Sequence, residues 1–103
     1  MKVLFILLKM EFVRKSKRKE IEMYLHIGKD FIINSKNIIA IFNIDYVKNT
    51  KEYKAMYKKL EENNNLMIIS DKKNMSFILT KENNIEKAYI TNIGVNTIAK
   101  RLI

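Results

Sequence analysis

The run Ile38-Ile39-Ala40-Ile41-Phe42-Asn43-Ile44 constrains the fold more than any other stretch of this chain. It is almost continuously apolar and rich in β-branched residues, which fit a pleated backbone better than a helix. A strand with one wet face alternates apolar and polar residues. This one does not, so it is expected to be a central strand buried on both faces.

The flanking residues supply its neighbours. Tyr24-Leu25-His26-Ile27 alternates, so Leu25 and Ile27 share one face of a strand and Tyr24 and His26 the other. Gly28-Lys29-Asp30 reads as a tight turn and Phe31-Ile32-Ile33 as the returning strand, which makes a hairpin. Asn34-Ser35-Lys36-Asn37 is a polar break, and Asp45-Tyr46-Val47-Lys48 leaves the sheet.

A helix follows. Asn49 or Thr50 caps it, with Glu52 three residues after Asn49 as in a capping box. Tyr53, Met56, Tyr57 and Leu60 recur at helical spacing and predict a core-facing stripe, with Lys51, Lys54, Lys58 and Lys59 largely outside it. Asn63-Asn64-Asn65 ends the helix.

Leu66 to Ser70 and Met75 to Thr80 read as two strands of a hairpin, whose tip Asp71-Lys72-Lys73-Asn74 carries adjacent lysines. Lys81 to Asn84 is a turn, Ile85 to Thr91 a last strand with Ala88 and Ile90 on one face, and Gly94 to Leu102 a terminal helix. In that helix Val95, Ile98 and Leu102 point inward and Lys100-Arg101 outward, where cations also suit the helix dipole. The order β-β-β-α-β-β-β-α predicts an α+β fold: a small, mainly antiparallel sheet with two short helices covering one side.

At 103 residues the chain holds one domain, residues 23–103, after an N-terminal extension, residues 1–22. The net charge is +9, which suits a polyanionic partner such as nucleic acid or an anionic membrane surface. Lysine, isoleucine and asparagine are also what A/T-rich codons encode, so the charge permits such a partner without requiring one. The absence of cysteine removes disulfides, thiolate metal sites and a cysteine nucleophile, and fits an intracellular location.

Catalytic chemistry finds little footing. Gly28 and Gly94 are too far apart for a phosphate-binding loop. His26 is the single histidine, and it sits at an outward strand position, which suits neither a metal site nor a general base. The carboxylates form no telling pair. No enzyme activity, cofactor, metal or small-molecule ligand is expected. The apolar run Val3 to Leu8 is cut by Lys9 and falls well short of the roughly 20 residues a membrane span needs.

Residues 1–22 carry seven basic and three acidic residues, and three readings stay open for them. They form an amphipathic arm with Leu4, Phe5, Leu8 and Phe12 on one face, or a disordered extension, or they are not normally translated. For the third, Lys19-Glu20 can be encoded AAG-GAG, a bacterial ribosome-binding sequence, and Ile21-Glu22 spaces it from a start at Met23.

From Leu25 onward the chain resembles the RemA and RemB family of bacterial extracellular-matrix (biofilm) regulators. The resemblance is carried by Leu25-His26-Ile27-Gly28, by Asn34-Ser35-Lys36-Asn37-Ile38-Ile39-Ala40-Ile41, and by the Leu66–Ser70 strand with Asp71-Lys72-Lys73-Asn74. The ending Thr97-Ile98-Ala99-Lys100-Arg101-Leu102 completes it. The opening Met23-Tyr24-Leu25-His26-Ile27-Gly28 is closer to RemB.

That resemblance implies a cytoplasmic DNA-binding transcription regulator that assembles into a ring-like homo-oligomer. It implies cationic DNA contacts at two places. One is the residue before Ile38-Ile39-Ala40-Ile41, which here is Asn37 with Lys36 beside it. The other is the later loop pair, here Lys72-Lys73, where lysine replaces arginine and gives up its bidentate fork. The alternative is an oligomeric scaffold or interaction module without DNA binding, which the uncharged Asn37 favours.

Overall fold

The computed structural model describes residues 24–102. The elements run β1 (Tyr24–Gly28), β2 (Phe31–Asn34), a 3-10 turn (Ser35–Asn37), β3 (Ile38–Asn43), α1 (Ile44–Val47), α2 (Lys51–Glu62), β4 (Leu66–Ile68), β5 (Ser76–Glu82), β6 (Ile85–Thr91) and α3 (Val95–Leu102). The α+β class and the order of strands and helices are as the sequence predicts, with α1 an added single turn. The extension, residues 1–22, and the Met23 start lie outside the described residues.

β1 and β2 form an antiparallel hairpin, and the other four strands form a sheet in the order β3-β5-β6-β4. Alternation along these strands sorts the interior into two cores. Ile41, Ile78 and Tyr89 face one side with Leu25, Ile27, Val95, Ile98 and Leu102. Phe42, Phe77, Leu79, Ala88 and Ile90 face the other with Tyr53, Met56, Tyr57 and Leu60 of α2. The sheet is therefore a middle layer, with the hairpin and α3 on one face and α2 on the other. The two long helices do not cover the same side, because the sheet offers two apolar faces and each needs a cover.

β3 lies at an edge of the sheet and is not central. Its apolar run is still explained, since burial on both faces comes from the layers above and below and not from lateral neighbours. A bulge between Ile38 and Ala40 lets Ile38 and Ile41, three apart, serve the same core.

β4 and β5 do not form the expected hairpin. β4 pairs in parallel with β6, Leu66 opposite Ala88 and Ile68 opposite Ile90. β5 already has β3 on one side and β6 on the other, so it has no edge left for β4. The 70–75 segment carrying Lys72-Lys73 is thus a crossover and not a hairpin tip.

Local signals elsewhere match the backbone. Leu25 and Ile27 are buried, and Tyr24 and His26 exposed. Thr50 is the N-cap of α2, its Oγ1 accepting from Tyr53 N at 3.2 Å. Asn63 caps the other end. β5 runs on through Lys81 and Glu82, so the β5–β6 turn is only Asn83-Asn84, both at positive φ (54° and 66°), as a two-residue hairpin turn requires.

Candidate nucleic-acid interface

The four residues expected to contact DNA fall at opposite ends of β3. Lys36 and Asn37 belong to the 3-10 turn that enters β3, where Ile38 pairs with Thr80. Asn34 organises the turn, its Oδ1 accepting from Lys36 N at 3.0 Å. Lys36 is exposed and Asn37 is half-buried. Lys72 and Lys73 lie by the far end of β3, where Asn43 pairs with Ser76. Five strand steps separate the two ends, about 17 Å. One copy of the chain does not bring Lys36-Asn37 and Lys72-Lys73 together.

The 70–75 crossover is pinned at several points. Ser70 is buried and its Oγ accepts from Lys72 N at 3.0 Å. Met75 N donates to Thr91 O at 2.9 Å, and Ile44 N donates to Met75 O at 3.0 Å. These bonds hold the lysine-bearing stretch against both β6 and α1. Lys72 and Lys73 are exposed, and Lys73 Nζ lies 3.6 Å from Asp45 Oδ2. Asp45 Oδ1 in turn lies 3.4 Å from Lys48 Nζ. Reading along the chain does not find this convergence. The Asp45/Lys48 spacing is visible in sequence, but the arrival of Lys73 depends on a crossover that sequence spacing assigns to a hairpin.

The other end of the sheet carries a groove of about 500 Å³. Tyr24, Ile32 and Ile85 line it with Lys36, Lys87 and Glu82. Tyr24, Ile32 and Ile85 are 64%, 60% and 50% exposed, large apolar side chains in a lining that is otherwise mainly polar. Tyr89 also lines this groove, and its phenol is pushed up by burial and by the Glu82 carboxylate. A second exposed apolar pair, Met67 and Ile68, lies on edge strand β4, whose outer side has no paired strand among the described residues.

Arg101 and His26 hold the terminal helix in place. Arg101 Nη1 donates to His26 O at 2.8 Å, and the His26 ring bonds Lys29 O. His26 therefore sits in a local structural network at the hairpin turn. Among the described residues no group of three or more His, Cys, Asp or Glu is placed to hold a metal ion. Among them no helix is long and apolar enough to cross a membrane.

A family model described as RemA-like, extracellular matrix regulatory protein A-like, matches residues 24–102. The chain belongs to the RemA-like family. The match spans all six strands, so both the Lys36-Asn37 turn and the Lys72-Lys73 crossover lie within RemA-like sequence. No curated protein matches the chain.

Proposed function

We propose that this RemA-like chain is a DNA-binding transcription regulator of the extracellular-matrix type, nearer to RemB than to RemA, acting in the cytoplasm as a homo-oligomer without enzymatic activity. The observation that carries the proposal is the Lys72-Lys73 crossover: two exposed lysines on a stretch anchored to β6 and α1, in a chain of net charge +9. Anchored lysines meet phosphates without first ordering a mobile loop. They carry no base-reading geometry, so recognition rests on the backbone and on DNA shape.

Two clusters of exposed apolar side chains support self-association. The groove with Tyr24, Ile32 and Ile85 is at one end of the sheet, and Met67 and Ile68 are on the β4 edge towards the other. Different surfaces meeting head to tail make a heterologous contact, which closes into a ring when the rotation allows. Repetition around the ring turns weak contacts into useful affinity.

A scaffold without DNA binding is the second reading, and half-buried, uncharged Asn37 is the observation that favours it. Titration of duplex DNA across a salt series, with light scattering on the free protein, separates the two. A regulator gives an oligomer whose affinity falls steeply with salt. A stable oligomer with no salt-dependent binding selects the scaffold.

A further inference from the structure

Lys48 Nζ lies 3.4 Å from Asp45 Oδ1, and Lys73 Nζ lies 3.6 Å from Asp45 Oδ2. One carboxylate thus holds two lysines from separate segments, one on each oxygen. Its position is fixed by its surroundings. Asp45 is in α1, whose N-cap Asn43 accepts from Asp45 N at 3.0 Å, and the buried Ile44 beside it is bonded to Met75 of the crossover. The three side chains remain open to solvent, with Asp45, Lys48 and Lys73 at 51%, 54% and 76% exposure.

A carboxylate and a phosphodiester share their relevant chemistry: one negative charge spread over two terminal oxygens. We propose that Lys48 and Lys73 form a phosphate seat whose resident anion is the Asp45 carboxylate, which a backbone phosphate of duplex DNA displaces. The inference rests on the DNA-binding reading above and adds two residues to it. Lys48 becomes a phosphate contact. Asp45 becomes an internal competitor that holds the two ammonium groups on the crossover side of α1 and weakens the bound state. Exposed ion pairs of this kind are worth little, so the exchange is easy and the net effect is a tuned affinity, not an on-off switch.

The test is duplex-DNA binding by the full-length protein across a salt series, with thermal melts confirming that each variant is folded. Asp45→Asn tightens binding about two- to fivefold, as expected when a competing carboxylate is removed and both lysine–phosphate contacts remain. Lys48→Gln weakens binding by a similar factor and flattens the slope by about one. Glu86→Gln is the control, because it removes the same charge at the opposite end of the sheet, at the start of β6. It leaves the affinity within about twofold, as a distant screened charge should. Two outcomes overturn the seat alone: wild-type binding with Asp45→Asn or Lys48→Gln unchanged, or a Glu86→Gln gain equal to that of Asp45→Asn. Wild-type protein that binds no DNA at low salt overturns the DNA-binding reading, and the seat with it.

Discussion

Gly28 approaches Thr91 so closely that a β-carbon on Gly28 would lie 2.9 Å from Thr91 Oγ1. The same residue has φ +130°, which side chains rarely adopt. It ends β1 where the hairpin folds over the sheet, and both the turn and the layer spacing depend on it. Thr91 has no room to yield, since it is fully buried and its Oγ1 accepts from Ile93 N at 3.2 Å. Gly28→Ala is expected to destabilise the fold by about 2–4 kcal/mol, through backbone strain and overpacking together. A urea midpoint equal to wild type would refute this account of the layer contact.

Tyr53 links pH to stability. It packs edge-on against Phe77, ring centroids 5.2 Å apart, and burial, with a smaller contribution from Tyr57, raises its phenol from 10.0 to about 12. A raised folded value means the neutral phenol stabilises the fold fully below pH 10, and this contribution is lost as pH climbs from 10 towards 12. Lysines titrate in the same window, so the informative quantity is the difference between wild type and Tyr53→Phe. The variant is expected to lose stability less steeply over that range. Parallel curves would show that the phenol is not the responsive group.

The groove lined by Tyr24, Ile32 and Ile85 predicts a specific loss of assembly. Ile32 is 60% exposed on β2, so Ile32→Asp disturbs no core contact of the monomer. Ile32→Asp replaces an apolar contact with a charge that must lose its water in the interface, which weakens association. Light scattering is expected to show smaller particles for Ile32→Asp with circular dichroism unchanged. Wild-type particle size in the variant would remove the groove from the interface.

Asn37 offers a gain-of-function test. It stands where the family resemblance expects a cation, at the turn entering β3. Asn37→Arg is expected to tighten DNA binding and steepen its salt dependence by about one phosphate contact. Unaltered binding, with particle size by light scattering also unchanged, would mean that this end of the sheet faces away from DNA.

How much of this was legible in the sequence varies by element. The β1 alternation, the stripe Tyr53-Met56-Tyr57-Leu60 and the inward set Val95, Ile98 and Leu102 were, because each is a local periodicity that burial obeys. The β5–β6 hairpin was legible too, though its turn is shorter than the polar stretch around it. The partner of β4 was not. Leu66–Ile68 is three residues long, and its place beside β6 rests on bonds such as Ile69 N to Ile90 O and Ala88 N to Asn65 O, which join residues more than twenty apart. The edge position of β3 was hidden for a related reason: an apolar run reports burial, and burial here comes from the layers.

The candidate site divides the same way. Charge and loop composition marked Lys72 and Lys73 as exposed. Their link to Asp45, and through it to Lys48, needs the crossover topology. The separation of Lys36-Asn37 from Lys72-Lys73 along β3 is equally a property of the register.

The most direct test of DNA binding through the crossover is the salt dependence of duplex-DNA affinity for Lys72→Glu/Lys73→Glu against wild type. Both lysines are exposed, so the fold should be retained. The double variant is expected to bind every sequence tried more weakly, with a log–log salt slope shallower by about two, one for each lysine–phosphate pair removed. The same affinity and the same slope in the double variant would contradict a DNA-binding role for the crossover.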